Sequence, residues 1–263
     1  MKPRIAIPVP NSRRPLYVSI ALPQYERAVR GAGGEPVVIP LNASSAEIAQ
    51  AVKACDGVLL PGSPADIDPE KYGAERHQAT APPDPYRDNT DELLLQDAFN
   101  MRKPVFGICY GLQALNVWRT GTLRQQLPPG VNHNAGRKVS QAHRVEVDPE
   151  SKLAGILRTA GALPDANELH IPVNSSHHQA PGDLGDGLRL AASCPDDGVK
   201  EAVEGTAPDH FVLGVQWHPE RTCDSEPASR AMFRAFIDAA AKWHKQLEQK
   251  QQDFESVASD GQR

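Results

Sequence analysis

Short unbroken apolar runs alternate with segments of helical period through the first half of the chain. Arg4–Val9 is such a run, ended by Pro10, and Tyr25–Val29 lies in a helical stretch closed by Gly31-Ala32-Gly33-Gly34. Pro36–Leu41 predicts a second strand. Ala46–Cys55 predicts a helix with Ile48, Ala51 and Val52 on its apolar face, and Gly57–Leu60 a third strand. Pro61–Asp88 is rich in Pro, Gly and Asp and reads as a long surface loop. Asp91–Met101 is helical in pattern, and Pro104–Ile108 is a fourth buried strand. Strands that read as continuous apolar runs, separated by helices of about ten residues, predict βαβ units and a parallel sheet covered on both faces.

The second half is patterned differently. Arg144–Val147, Ile171–Val173, Arg189–Ala192, Val199–Val203 and Phe211–Val215 are short strand candidates separated by turns. Ser225–Gln246 predicts a terminal helix with Ala231, Phe233, Phe236, Ile237 and Ala240 at core spacing. We therefore expect one α/β domain over residues 1–245 and a polar, frayed tail over residues 246–263.

Composition narrows the class of protein. At 263 residues the chain can bury a core without staples, and no apolar run approaches the ~18–20 residues that span a bilayer. The net charge of −5, with no basic block, argues against nucleic acid or an anionic membrane as partner. Cys55, Cys109, Cys194 and Cys223 are scattered and form no Cys-x-x-Cys pair, which predicts reduced thiols and a cytoplasmic protein. The start, Met1-Lys2-Pro3-Arg4, reads as the approach to a first strand rather than a leader.

One cysteine stands apart. The run ending in Phe106 enters Gly107-Ile108-Cys109-Tyr110-Gly111, which opens the helical pattern Leu112–Val117. Strand, sharp turn and helix with glycines two before and two after form a nucleophile elbow with Cys in place of Ser. A free Cys is most often a small buried hydrophobe, but this one lies at a helix N-terminus, whose partial charge favours thiolate. A base is available in His218, which follows the apolar strand Phe211–Val215 and precedes Pro219. Glu220, two residues on, can reach the same imidazole and fix its tautomer. Backbone N–H groups of Gly62 or Ser63, on the turn after Gly57–Leu60, can join that of Tyr110 as oxyanion donors.

Taken together these residues resemble the class I glutamine amidotransferases, whose triad is Cys-His-Glu. The branch with the gamma-glutamyl-gamma-aminobutyrate hydrolases, peptidase family C26, is the nearest match. Leu60–Pro64, Asp84–Asp88, Gly121–Leu123, Val173–Gln179 and Gly214–Glu220 carry the resemblance in the family's order. It implies a flavodoxin-like, doubly wound α/β fold with a mostly parallel central sheet, and hydrolysis of a gamma-glutamyl amide through a gamma-glutamyl thioester. Cys109 would be nucleophile, His218 base and acid, and Glu220 orienter, while Gln113 and Asn174, Ser175, Ser176 and His177 would line the glutamyl pocket. Many members have Arg after the nucleophile where Tyr110 stands here, so Tyr110 and the Asp66–Asp88 loop become candidate walls for the amine side. The expected partner is a small gamma-glutamyl compound, and a homodimer is compatible with the sequence. The alternative is a glutaminase subunit that passes ammonia to a separate synthase. A dead scaffold is disfavoured by the complete triad, and the protease and chaperone branch by its usual His after the nucleophile.

No cofactor or metal is expected. His177 and His178 are adjacent and would face opposite ways on a strand. His133 and His143 have no Cys or carboxylate at ligand spacing, and His218 with Cys223 reads as catalytic rather than zinc-binding. Trp118, Trp217 and Trp243 read as packing residues, and Gly31–Gly34 as a helix stop rather than a phosphate loop.

Overall fold

The computed structural model describes residues 2–163 and 169–260. Its parallel half is built from β1 (Arg4–Pro8), α1 (Pro15–Gly31), β2 (Glu35–Ile39), α2 (Ser45–Lys53), β3 (Gly57–Leu60), α3 (Pro85–Met101), β4 (Val105–Ile108) and α4 (Tyr110–Trp118). There follow β5 (Leu123–Arg124), β6 (His143–Val147), α5 (Lys152–Thr159), β7 (His170–Val173), β8 (Ala180–Pro181), β9 (Leu188–Ser193), β10 (Lys200–Gly205), β11 (Val212–Val215) and α6 (Pro227–Asp260). The main sheet has nine strands in the order β2-β1-β3-β4-β11-β10-β9-β6-β7, parallel as far as β11 and antiparallel beyond it. The first five positions have the doubly wound order expected, and the antiparallel strands extend them at one side.

Alternation along the buried strands assigns the two faces. Ile5, Ile7, Leu59, Phe106, Leu213 and Val215 pack with Tyr25 of α1 and Phe233 and Phe236 of α6. Ala6, Val58, Leu60, Val105 and Val212 pack with Ile48 of α2, Leu94 and Leu95 of α3 and Leu115 of α4. Helices cover both sides of β1, β3, β4 and β11, so these strands carry no polar face.

Several boundaries differ from the sequence pattern. Part of the Pro61–Asp88 segment is ordered by a 3-10 turn, Pro69–Tyr72, capped by Asp68. Its end is already helical, because α3 starts at Pro85 with Asp84 as cap, and proline suits a first helical turn. The short helix α5 lies between the Arg144–Val147 and Ile171–Val173 strand candidates, where the sequence pattern gives only turns, and it is capped by Ser151, whose Oγ accepts from Ala154 N–H. The last helix runs past Gln246 to Asp260, since Gln, Glu and Lys are good helix formers. Residues 261–263 of the expected tail lie outside the described residues. Among the described residues, no helix is long and apolar enough to cross a membrane.

Candidate active site

The carboxyl ends of β3, β4 and β11 lie side by side, with Leu60 opposite Gly107 and Val215 opposite Ile108. Cys109 follows β4 with φ 54° and ψ −108°, in the left-handed half of backbone space that a non-glycine residue rarely enters. Its N–H is held by the Val215 carbonyl at 2.8 Å. The flanking glycines are required by contact. A Cβ on Gly107 would lie 2.7 Å from Gly111 O, and one on Gly111 only 2.1 Å from Leu60 O. This is the strand–turn–helix elbow that the sequence predicted, and it turns Cys109 over the sheet edge.

His218 and Glu220 leave β11 toward the same point. His218 Nδ1 is 2.8 Å from Glu220 Oε1, and the two residues are 2% and 1% exposed. A methyl group on Gly62 would lie 2.9 Å from His218 Cε1 and 3.5 Å from Cys109 Cβ, so both side chains border that glycine. Burial pushes the Cys109 thiol up to about 12, against the lowering effects of Arg221 and the Tyr110 N–H. Burial likewise lowers His218 to about 4, although Glu220 pulls the other way. Burial also opposes the Glu220 charge, but His218 and Arg221 outweigh it and hold that carboxyl below its usual range. At rest burial thus favours the neutral thiol and the neutral imidazole.

The donors above this pair divide. Gly62 N–H is already taken by the Tyr25 hydroxyl at 3.0 Å, while Tyr110 N–H points at the Cys109 sulfur. Of the three candidate donors, Ser63 and Tyr110 are the ones left to serve an oxyanion. The turn that carries Ser63 is fixed by Arg87, fully buried in the Asp84–Asp88 motif. Its guanidinium pairs with Asp91 at 2.7 Å and donates to Pro10 O at 2.8 Å and Pro61 O at 2.6 Å, tying the ends of β1 and β3 together. Tyr110 is 1% exposed, its hydroxyl bonded to Asp88 and its ring 4.8 Å below the Arg87 guanidinium. Its side chain belongs to this framework and not to a wall facing an amine.

The residues expected around the glutamyl head are likewise engaged with protein. Asn174 Nδ2 donates to His218 O at 2.8 Å and Asn174 Oδ1 accepts from His218 N–H at 2.9 Å, so this side chain clamps the catalytic candidate's backbone. Gln113 Nε2 donates to Gln179 O and Gln216 Oε1. Ser175 Oγ donates to His133 O, and Ser176 Oγ accepts from Arg221 Nη1 at 2.8 Å. His177 Nδ1 donates to Gln179 O at 2.9 Å, and its Nε2 lies 3.7 Å from Glu201. Sequence reasoning missed Tyr25, Arg221 and Tyr17. Arg221, adjoining Glu220, was the one within reach. Tyr17 feels the Cys109 and Glu220 charges, yet it lies some ninety residues earlier in the chain with no motif around it.

The reading of His133 and His143 as isolated needs correction. The fold brings both to Glu201 on β10, together with His177, and brings Asp197 and Cys194 beside His133. Ligand spacing along the chain could not reveal partners separated by some sixty residues. His177 and His178 do face apart, the second pairing with Asp66 at 3.1 Å.

Comparison with known proteins agrees with the geometry. The peptidase C26 family model matches residues 12–220. The gamma-glutamyl-gamma-aminobutyrate hydrolase PuuD of Escherichia coli K12 is 34% identical over 227 residues, 82% of this chain and 84% of that one. A Mycobacterium tuberculosis protein carrying the name of a glutamine amidotransferase is 36% identical over 220 residues, 82% of this chain and 66% of its own length. Among solved structures, a Thermoplasma acidophilum protein described as a GMP synthase component superposes with a TM-score of 0.63. It covers 94% of this chain and 98% of its own at 16% identity, a likeness of fold.

Proposed function

The chain belongs to the peptidase C26 family of the class I glutamine amidotransferase superfamily, and on that premise we propose that it hydrolyses gamma-glutamyl amides through a thioester on Cys109. The observation that carries this reading is the placement of Cys109, on the elbow after β4, and His218 on either side of Gly62, with Glu220 2.8 Å behind the imidazole.

In this mechanism His218 Nε2 takes the Cys109 proton as the sulfur bonds to the gamma-carbonyl carbon. Glu220 accepts from Nδ1–H and stabilises the imidazolium that forms. The oxyanion is met by the Tyr110 and Ser63 N–H groups. Collapse breaks the C–N bond, and His218 returns the proton to the departing amine. Water then gives a proton to His218 and attacks the thioester, releasing glutamate and restoring the thiol. Because burial favours the neutral thiol and imidazole, the ion pair forms along the reaction coordinate rather than before it. Arg221 and Arg137, whose charges reach His218, supply positive potential for the substrate carboxylates. The four free cysteines support action in a reducing cytoplasm.

The test is a panel at equal concentrations: gamma-glutamyl-gamma-aminobutyrate, other small gamma-glutamyl amides, glutamine, and alpha-linked glutamyl peptides. Glutamate should be released from the gamma-linked amides, weakly from glutamine, and not from alpha-linked peptides. The name of the M. tuberculosis relative favours a second reading, a glutaminase serving a synthase. Hydrolysis of glutamine alone, and only with a synthase added, would establish that one instead.

A further inference from the structure

Behind the Asn174–Gln179 segment lies a second cluster that the proposed reaction does not use. Glu201 is 0% exposed, and among the described residues its ion pairs are with three histidines and with no Lys or Arg. His133 Nδ1 lies 3.1 Å from Glu201 Oε1, His143 Nε2 3.0 Å and His177 Nε2 3.7 Å, and all three imidazoles are almost wholly buried.

The outer partners fix which nitrogens carry protons. His177 Nδ1 faces the Gln179 carbonyl, which can only accept, so Nδ1 bears the hydrogen and the neutral ring presents the Nε2 lone pair inward. His133 Nε2 is bonded to Asp197 Oδ2 at 2.8 Å, so its Nδ1 also faces inward. His133 Nδ1, His177 Nε2 and Glu201 Oε2 are buried without a hydrogen-bond partner among the described residues. Two imidazole nitrogens and a carboxylate thus converge on one point, and the Glu201 charge there is met either by a proton on His133 or by a bound cation.

A carboxylate or a backbone carbonyl on the far nitrogen of each imidazole is the arrangement that orients metal-ligating histidines. The spacing also fits. A tetrahedral ion with bonds of ~2.0–2.1 Å needs ligand atoms about 3.3 Å apart, and the distances to Glu201 Oε1 bracket that value. We propose that His133, His177 and Glu201 form a binding site for a divalent transition-metal ion of the zinc type, with Asp197 and His143 orienting the ligands. The ion would join the 174–179 segment to β10. That segment also carries Asn174, the clamp on His218, so the site would brace the catalytic histidine from behind.

The test starts from protein purified without a metal-affinity column and stripped with dipicolinate. Zinc is added back, excess is removed by desalting, and bound metal is counted by mass spectrometry. Cobalt(II) is used in parallel for its visible spectrum. We expect one zinc per chain, a raised Tm, and the d–d bands of a four-coordinate cobalt site. His177→Gln should abolish stoichiometric binding, and Asp197→Asn should weaken it about 10–100-fold. Less than about one zinc per ten chains, with no cobalt bands in the wild type, would overturn the proposal and leave protons as the bridging charges. A cobalt–thiolate charge-transfer band would also overturn it, by moving the ion to His133, Cys194 and Asp197. The wild-type measurements decide the matter even if a variant fails to fold.

Discussion

Asn174→Ala separates a positioning residue from a substrate contact. The wild-type side chain makes two hydrogen bonds to the backbone of His218, at 2.8 and 2.9 Å, and both residues are buried. Truncation leaves the buried His218 N–H unmet, at roughly 1–3 kcal/mol, while the His218 carbonyl keeps the Arg221 N–H at 3.2 Å. The vacated space can admit a water that satisfies part of this, so the expected loss is about 1–3 kcal/mol of unfolding free energy, read by urea titration with unchanged m-value. The segment after β11 also loses what holds it in place, and a shift of about 1 Å in a catalytic group can cost on the order of 10²-fold in kcat. We expect kcat for gamma-glutamyl amide hydrolysis to fall by about that factor while KM stays within about twofold. Asn174→Asp keeps the acceptor for His218 N–H but sets a carboxylate oxygen against His218 O, and should also lower kcat. A variant with wild-type kcat and a raised KM would refute the reasoning and return Asn174 to the glutamyl pocket.

The acid limb of kcat/KM should lie near His218's lowered value of about 4 rather than near 6.5, because only the neutral ring can take the thiol proton; a limb at 6.5 would contradict the buried geometry. Since its folded value lies below its unfolded one, His218 contributes stability that is fully present above about pH 6.5 and is lost as the pH falls toward 4. A denaturation series over that range should show the slope diminished in His218→Asn. Tyr25→Phe strands the Gly62 N–H in a buried position and should cost about 1–3 kcal/mol. If Tyr25→Phe is as stable as wild type, Gly62 N–H has another partner.

The elbow was legible because its chemistry is local. Gly107, Cys109 and Gly111 sit on one turn, and the close approach that demands two glycines is written at fixed spacing. The same holds for β3 and β4, whose buried apolar runs end at their motifs. His218 and Glu220 were readable for the same reason, two positions apart after an apolar strand. What stayed hidden depends on distant parts of the chain. Glu201 gathers histidines from three segments, Arg87 ties two strand ends by their carbonyls, and Tyr25 reaches from the first helix to occupy a donor that looked free. The residues expected around the glutamyl head bind protein groups in the structure, and a motif does not specify such partners. The helix at Lys152–Thr159 was missed because eight residues offer little more than two turns of periodicity.

The central claim is a covalent gamma-glutamyl intermediate on Cys109. It is tested most directly by acid-quenching the wild-type protein during turnover of gamma-glutamyl-gamma-aminobutyrate and measuring its intact mass, followed by peptide mapping. The account predicts a glutamyl adduct that maps to Cys109, is absent from Cys109→Ala, and disappears as substrate is exhausted. Release of glutamate by Cys109→Ala at the wild-type rate, with no adduct on the wild type, would contradict it.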